Sequence, residues 1–286
     1  MDHQGRPGRP DPVDADRVLA LLRHAGVNAT EATRLTGDTS SVWRATGVDA
    51  VIRVAGPDVT PAQVQQHLDR AGALIRDGVP FARPLLTQAV VHGTTVASVW
   101  VAENDTASLS YRSWGAATRL LHDLGDAQTM PHLPDVDDTT GATARLDALA
   151  RSGAVTTQEH RRMREWAERV EAGTTTRPDR GVVVHDDLWA KNATMRDGTV
   201  VLLDPDNLVI GTRAHDLAFL TRGVALGAVS ESEATAFAEG YGAALPDPEQ
   251  ASRLAGPHRL RWVTLLLERR SWHPQATELL SREWPD

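Results

Sequence analysis

Two neighbouring stretches of the chain carry side chains that could catalyse phosphoryl transfer. The first reads HDDLWAKN at 185–192 and supplies Asp187 and Asn192. The second reads VLLDPDNLVIGTRAHDL at 201–217 and supplies Asp204 directly after an apolar run. Phosphoryl transfer needs a carboxylate to orient the attacking hydroxyl, and an amide with a second carboxylate to hold Mg²⁺ on the nucleotide phosphates. Because a loop, a strand and an acid follow in this order, we expect the three side chains to meet and to do the chemistry of a kinase.

The residues around these three offer further contacts for a metal ion and for phosphate charge. Mg²⁺ prefers hard oxygen ligands, so Asn192 and Asp204 are its predicted ligands. Asp206 is either a further ligand or a hydrogen-bond partner of the loop. Lys191 is the only lysine among the 30 lysine and arginine residues. Its ammonium could offset the charge of the moving phosphoryl group or face solvent; we place it with Asp187 among the predicted catalytic residues.

Composition favours a cytoplasmic enzyme with a large core. The chain has 286 residues, 41% of them hydrophobic, which allows one or two domains. The net charge of −8 argues against nucleic-acid or anionic-membrane partners and is compatible with a cationic substrate. Cysteine is absent, which excludes disulfides and thiolate metal sites. No apolar run approaches the roughly 20 residues of a membrane span, and the polar first residues lack the apolar core of a signal peptide.

The first third of the chain indicates a small β-rich lobe after a disordered tail at 1–12. The predicted elements are a helix at 13–24, strands near 32–35, 41–45 and 50–54, a helix from Thr60-Pro61 to about residue 77, and strands at 85–91 and 95–101. Gly37 and Gly47 between the first strands favour an antiparallel meander. The turn that includes Ser40 and Ser41 offers hydroxyl and N–H donors for nucleotide phosphates.

From residue 108 onward, helical spacing dominates. The predicted helices lie at 111–124, 143–150, 157–172, 231–240 and 260–270, and short apolar strands interrupt them at 182–184 and 200–203. We therefore predict an α+β fold of two lobes. The nucleotide-binding N-lobe, at 13–102, contains a small antiparallel sheet. The larger, mainly helical C-lobe, at 103–286, carries the catalytic residues and binds the substrate.

The two stretches together resemble a known family. HDDLWAKN followed by LLDPDNLVIGTRAHDLA is similar to the catalytic loop and metal-binding segment of the aminoglycoside phosphotransferase superfamily, which has a protein-kinase-like fold. The segments RLTGDTSSVWRA, AVIRV, SVWVAEN, LLHDL and FAEGYG match the superfamily weakly but in the right order. The resemblance implies that His185 and Asp216 brace the catalytic loop. It also implies that Arg53 contacts the nucleotide phosphates and that the backbone from Trp100 to Ala102 pairs with the purine ring.

The chain departs from the superfamily pattern at two places. Asp186 stands where the superfamily usually has glycine, and its negative charge could face a cationic substrate. On the helix that follows Arg53, the expected glutamate falls at His67, with Asp69 two residues later. Either Asp69 pairs with Arg53, or this ion pair is missing and the chain binds its nucleotide differently.

With the resemblance, these residues predict an O-phosphotransferase that uses Mg²⁺ with ATP or GTP. Its expected substrate is a small, hydroxylated and cationic molecule such as an aminoglycoside or aminocyclitol antibiotic, in a pocket that contains Asp186, Trp189, Glu231 and Glu268. Antibiotic resistance would then be its biological role. The alternatives are a kinase of sugars, amino sugars or fructosamines, and a degenerate kinase fold that binds nucleotide and has a regulatory role. We expect a monomer or weak dimer that binds neither nucleic acid nor membrane.

Overall fold

The computed structural model describes residues 13–36, 41–56, 59–103, 108–125, 130, 133–136, 138–173, 181–270 and 276–283. The tail predicted for residues 1–12 lies outside these described residues. Contacts divide the chain into two units. The first consists of Met1–Ala73 with Ala82–Asn104, and the second of Leu74–Phe81 with Asp105–Asp286. In the described part, no helix combines the length and apolar character needed to cross a membrane.

The first unit contains an antiparallel sheet of five strands in the order β1-β2-β3-β5-β4. Its strands are β1 (Glu31–Thr36), β2 (Ser41–Thr46), β3 (Ala50–Val54), β4 (Val90–His92) and β5 (Thr95–Val101). The sequence of β3 alternates as a half-buried strand should, since Ala50, Ile52 and Val54 are buried while Val51 and Arg53 are half-buried. The buried side chains of β3 therefore belong to the core of this unit.

Two helices belong to this part of the chain. α1 (Ala15–His24) starts where the Asp14 carboxylate accepts a hydrogen bond from a backbone N–H in the first turn, and it buries its apolar side against the sheet. α2 (Pro61–Arg76) begins with proline at its first position. Thr60 and Gln63 cap it reciprocally, because each side chain bonds the backbone N–H of the other residue.

The sheet differs from the prediction in one strand. The strand predicted for 85–91 is only β4 (Val90–His92), so that prediction was too long. The N–H groups of Leu85 and Leu86 both donate to the carbonyl of Val99, at 2.8 and 3.3 Å. A regular ladder does not give two consecutive donors to one acceptor, and the chain therefore bends before β4 begins.

The second unit is mainly helical. Its helices are α3 (Tyr111–Leu124), α4 (Thr140–Arg151), α5 (Thr157–Ala172), α6 (Arg213–Ala225), α7 (Glu231–Tyr241), α8 (Pro248–Leu254), α9 (Gly256–Arg269) and α10 (Ala276–Glu283). Its strands are β6 (Val182–Val184), β7 (Ala193–Arg196), β8 (Thr199–Leu202) and β9 (Val209–Gly211). β6 pairs with β9 and β7 pairs with β8, both antiparallel. A small antiparallel sheet unit and a larger helical unit confirm the predicted α+β class.

Two packing regions hold the helices of this unit. One core cluster is formed by buried side chains of α4, α5, α9 and α10. In the other region, α3 and α7 approach closely at glycines: a β-carbon on Gly240 would overlap the carbonyl oxygen of Arg112, and one on Gly115 would overlap that of Phe237. The ring of Trp114 packs edge-on against Phe237, with centroids 5.0 Å apart.

Candidate active site

Asp216 holds the backbone of the loop that follows β6. This residue lies in the first turn of α6 and is fully buried. Its Oδ2 accepts the N–H of His185 at 2.7 Å, and its Oδ1 accepts the N–H of Asp186 at 2.9 Å. His122 of α3 lies 2.9 Å from the same Oδ2 through its Nε2. Because two consecutive backbone amides are bound to one carboxylate, the backbone at His185 and Asp186 is held in place. This sets the position of the next residue, Asp187.

Two hydrogen bonds join this loop to the segment that ends at Asp204. Nε2 of His185 lies 2.7 Å from the carbonyl oxygen of Leu203, and the N–H of Leu203 donates to the carbonyl of Asn192 at 2.9 Å. Asp204 follows directly, in the left-handed region at φ 61°. Asp216 therefore holds two backbone amides of the loop, and His185 contacts a backbone carbonyl of the second segment. The bracing role that the resemblance implies for both residues stays a prediction.

Both oxygens of the Asp187 carboxylate have polar neighbours. Nδ2 of Asn192 donates to Oδ2 at 2.7 Å and to the Asp187 carbonyl at 2.8 Å. Nζ of Lys191 lies 3.6 Å from Oδ2, and Nε2 of His258 lies 3.7 Å from Oδ1. The Asp187 side chain is only 13% exposed. The structure therefore brings the predicted pair Asp187 and Asn192 together, with Lys191 beside them.

Burial raises the pKa of Asp187 above its ordinary value. Lys191, His185 and the hydrogen bond from Asn192 act in the opposite direction, while the charge of Asp204 adds to the increase. Two conclusions follow. Asp187 is a somewhat stronger base than a free aspartate, and Asp204 lies close enough for its charge to act on Asp187.

Asn192, Asp204 and Asp206 offer a donor set that suits Mg²⁺. Because Nδ2 of Asn192 is bound to Asp187, Oδ1 is the atom that this amide can offer to a cation. Oδ1 of Asp204 accepts the N–H of Asp206 at 3.3 Å, which is a weak bond. Among the described residues there is no group of three or more His, Cys, Asp and Glu side chains placed to hold a metal. Mg²⁺ needs no such group, since it usually uses one or two carboxylates together with water and phosphate oxygens.

Asp186 is an internal residue, which counts against the prediction that it faces a substrate. It is 4% exposed and adopts φ 55°. The guanidinium of Arg261, on α9, donates to its carboxylate and also to the carbonyl of Val136 at 3.0 Å. Burial raises the pKa of Asp186 to about 7; Arg261 opposes the increase, while Asp216 and Asp187 add to it. The carboxylate is therefore engaged inside the unit.

Trp189 lies in the loop at the start of a row of ring contacts. Its half-buried indole meets Phe219 of α6 edge-on, with centroids 5.4 Å apart. Phe219 in turn meets the ring of His258 at 4.9 Å. The guanidinium carbon of Arg222 lies 6.0 Å from the centre of the Trp189 ring. Trp189 thus stays a candidate wall of the substrate pocket, as predicted from the sequence.

The other two predicted pocket residues lie elsewhere. Glu231 is exposed at the first position of α7, where a carboxylate stabilises the helix N-terminus. Glu268 pairs with Arg145 of α4, Oε2 to Nε at 3.3 Å. It is ten residues beyond His258 on α9, about 15 Å along the helix axis. The structure does not bring these carboxylates to Asp187.

The predicted nucleotide-binding residues belong to the first unit. Ser40 lies outside the described residues, and the Ser41 hydroxyl accepts the indole N–H of Trp43 at 2.9 Å. Arg53 is half-buried on β3. Asp69 accepts a hydrogen bond from Gln65 of its own helix at 2.9 Å.

At the end of β5, where the resemblance implies contact with the purine ring, N–H groups donate to other residues of the first unit. The indole N–H of Trp100 donates to the Ser98 hydroxyl at 2.8 Å. The N–H of Val101 donates to the carbonyl of Arg83 at 2.9 Å, and that of Ala102 donates to the carbonyl of Asp49 at the same distance. A purine ring would therefore need donors other than these two backbone groups.

Sequence reasoning missed His258 and Arg261 of α9. Arg261 is 75 residues from its partner Asp186, and the chain has many other arginines. One signal was available: an aspartate that replaces the superfamily's glycine needs a cationic partner if it is buried, and His258 and Arg261 are spaced to share one helix face. Nothing in the sequence shows which helix supplies that cation.

Comparison with known proteins gives a family match and a set of similar folds. Residues 31–262 match the model of a family described as the phosphotransferase enzyme family. No curated protein matches the sequence. Aminoglycoside phosphotransferase APH(3″)-Id from Streptomyces rimosus is 20% identical, covers 88% of this chain and 100% of its own, and has a TM-score of 0.64.

Two further solved structures show the same fold. The amicoumacin kinase hAmiN, solved with AMP-PNP, Ca²⁺ and Ami, is 13% identical, covers 94% of this chain and 92% of its own, and has a TM-score of 0.67. A choline/ethanolamine kinase family protein from Mesorhizobium loti is 19% identical, covers 94% and 91%, and has a TM-score of 0.62. At these identities, the likeness concerns the fold.

Proposed function

Because this chain belongs to the phosphotransferase enzyme family and is a small-molecule kinase, we propose that it transfers the γ-phosphoryl group of ATP to a hydroxyl of its substrate. The observation that carries the proposal is the Asp187 carboxylate, which is largely buried, bound by Asn192 and close to Lys191. GTP remains a second candidate donor. We place the reaction in the cytoplasm, where both nucleotides are present.

Asp187 would bind the acceptor hydroxyl and take its proton. The hydroxyl oxygen forms a bond to the γ-phosphorus, and the bond from that phosphorus to the β–γ bridging oxygen breaks. ADP leaves with the electron pair, and the hydroxyl proton moves to the Asp187 carboxylate. The raised pKa of Asp187 suits this proton transfer, because a stronger base holds the proton more firmly. The bond from Asn192 keeps the carboxylate in one orientation.

Asn192 and Asp204 would hold Mg²⁺ through Oδ1 and the carboxylate, with Asp206 as a further contact. A cation bound there would supply positive charge to the nucleotide phosphates. The electrostatic effect of Asp204 on Asp187 supports this assignment, since a cation held at Asp204 would offset that repulsion. Lys191 would add positive charge on the Asp187 side.

We assign nucleotide contact to Ser40, Ser41 and Arg53, and to the segment from Trp100 to Ala102 through groups other than the N–H of Val101 and of Ala102. The guanidinium of Arg53 suits the α- and β-phosphates because it can donate two hydrogen bonds in parallel. The structure of APH(3″)-Id in complex with ADP and streptomycin supports nucleotide use in a protein of this fold.

For the acceptor, aminoglycoside and aminocyclitol antibiotics come first. The net charge of −8 and the similarity to aminoglycoside and spectinomycin phosphotransferases support this class. A sugar or another metabolite of lower positive charge is the second candidate. One observation favours it: Asp186 and Glu268 are both paired with arginines, so neither offers its full charge to a cationic substrate.

The test is a transfer assay read by mass spectrometry. The purified protein would be incubated with Mg·ATP or Mg·GTP and with streptomycin, spectinomycin, choline and a set of amino sugars. Phosphorylation adds about 80 Da to the acceptor. Asp187→Asn should lower turnover by about 10²- to 10⁴-fold, while nucleotide still raises the thermal unfolding midpoint.

Asp197→Asn is the matched control. Asp197 lies in the turn between β7 and β8, is exposed and has a positive φ of 50°, a conformation that asparagine tolerates. It should leave turnover unchanged. If Asp187→Asn kept most of its kcat, the catalytic assignment would be wrong. Nucleotide binding without transfer to any acceptor would favour the regulatory alternative.

A further inference from the structure

α9 presents two residues to the catalytic loop from one face. His258 and Arg261 are three positions apart, which places them on the same side of a helix. His258 lies beside Asp187, and Arg261 is bonded to Asp186. Two consecutive loop residues therefore face two residues of the same helix. The buried Asp186–Arg261 contact, together with the bond from Arg261 to the Val136 carbonyl, fixes where α9 lies relative to the loop.

The ring of His258 is packed so that one nitrogen faces Asp187. Its edge-on contact with Phe219 has a centroid distance of 4.9 Å and an interplanar angle of 75°. Nδ1 is buried and has no hydrogen-bond partner among the described residues. The side chain as a whole is 18% exposed, so the exposed atoms are others than Nδ1. The polar atom of this ring that can meet a substrate is therefore Nε2.

The surroundings of His258 favour a neutral ring. Burial lowers the pKa of His258 well below its ordinary value, and the nearby cations Arg261, Arg222 and Lys191 act in the same direction. An ionised carboxylate only accepts hydrogen bonds, so the tautomer with Nε2–H facing Asp187 is favoured. That tautomer also avoids a buried N–H at Nδ1.

The gap between Nε2 and Oδ1 of Asp187 leaves room for one oxygen that contacts both groups. At 3.7 Å, the two atoms are too far apart for a direct hydrogen bond. An oxygen that donates to Oδ1 at about 2.7 Å and accepts from Nε2 at about 2.9 Å satisfies both groups. We propose that His258 binds the acceptor hydroxyl together with Asp187, donating a hydrogen bond from Nε2 to the same oxygen that Asp187 deprotonates.

This contact orients the nucleophile. A hydroxyl oxygen has two lone pairs; one accepts from His258, which leaves the other to attack the phosphorus while the proton faces Asp187. A loose transition state depends on such positioning more than on base strength. His258 is thus a catalytic residue contributed by α9, and Arg261 is the positioning residue that holds it there through Asp186.

The inference rests on the proposed function and is tested with two substitutions of His258. His258→Phe keeps the ring size and removes the donor, and His258→Gln keeps an N–H close to the place of Nε2. We expect His258→Phe to lower kcat/KM for the acceptor by about tenfold, with an unchanged KM for ATP. His258→Gln should stay within about threefold of the wild type. Both should unfold near the wild-type temperature.

His160→Phe is the matched control. His160 is also a partly buried histidine beside an aspartate, with Nε2 2.7 Å from Oδ1 of Asp147, but it belongs to α5. It should leave both steady-state constants unchanged. The inference is overturned if His258→Phe keeps full acceptor kcat/KM, or if His258→Gln is as impaired as His258→Phe. A parallel rise of the KM for ATP in both variants overturns it too, since it would indicate a structural role.

Failure of the proposed function gives a different result. If the wild type phosphorylates none of the acceptors, the same variants are compared for slow hydrolysis of Mg·ATP, in which water takes the place of the hydroxyl. A tenfold loss in His258→Phe then supports the inference although the acceptor assignment has failed. Equal hydrolysis rates, or no hydrolysis by any variant, overturn it.

Discussion

At the scale of single residues, three aspartates of the site differ because their partners differ. Asp216 accepts bonds from two backbone amides and faces His122, and these outweigh the effect of burial, so its pKa is lowered. Asp186 is buried and has one cationic partner, the guanidinium of Arg261. The effect of burial outweighs that of this partner, so the pKa of Asp186 is raised to about 7. Asp187 lies between these cases, with a raised pKa and partial access. The residue that we propose to exchange a proton, Asp187, is thus the most accessible of the three.

The prediction at the scale of single residues concerns Lys191. Its ammonium lies 3.6 Å from Asp187, and the side chain is 69% exposed. Removing the charge should weaken stabilisation of the transferring phosphoryl group, so Lys191→Met should lower kcat by about tenfold or more, with a smaller change in the KM for ATP. Lys191→Arg keeps the charge and should retain most of the rate. Steady-state kinetics decide between the roles: an unchanged kcat in Lys191→Met would make Lys191 a solvent-facing residue.

Sequence alone predicted the residues whose neighbours are local. Asp187 and Asn192 are five positions apart in one loop, so their contact follows from a short turn. The partner of Asp186 could not be found in this way, because the choice among many arginines depends on how α9 packs. The same holds for His258. Contacts between distant parts of the chain depend on how the helices pack. The spacing of residues within a motif does not predict them.

At the scale of elements, the tightest helix contact is that of α3 with α7. The backbones approach at Gly115 and Gly240, where side chains would overlap carbonyl groups of the other helix. Tyr241, one residue after Gly240, places its hydroxyl 2.9 Å from Nδ1 of His122. His122 in turn contacts Asp216. The close approach of two helices is therefore part of what fixes the loop that contains Asp187.

Gly240→Ala tests this contact. The added β-carbon must displace the backbone of α3, so we expect a loss of about 1–3 kcal/mol in the free energy of unfolding. Gly141→Ala is the control, because Gly141 is also helical and has open space around the position of a β-carbon. It should stabilise the protein by up to about 1 kcal/mol. Denaturant unfolding measures both; equal effects of the two substitutions would contradict the close packing.

The elements that the sequence predicted well have a clear period of hydrophobic residues or a clear helix cap. β3, α3 and α5 have the expected bounds, and α5 begins with a capping box at Thr156 and Glu159. α6 was missed because Leu217 to Leu220 are all buried, which removes the polar face that marks a helix. β7 was missed because its sequence, ATMR, lacks the unbroken apolar run by which β6 and β8 were predicted.

At the scale of the whole molecule, Asp216 is one of the carboxylates that stabilise the fold against acid. Its pKa in the folded protein is below the ordinary value, so it stabilises the fold above about pH 4 and loses that contribution as the pH falls through the folded pKa. Asp216→Asn should cost about 1–3 kcal/mol at pH 7. The difference between variant and wild type should shrink from pH 5 to pH 3. Denaturant unfolding at these pH values measures it, and a constant difference would contradict the lowered pKa.

The whole chain has one lysine, and that residue lies exposed beside Asp187. Reagents that acylate amines therefore have, apart from the N-terminus, a single point of attachment. A fluorophore or an affinity tag coupled there would report events at the catalytic loop without any cysteine being introduced. If bound nucleotide covers that ammonium, it would slow the coupling. The rate of modification would then measure the fraction of the protein that has nucleotide bound.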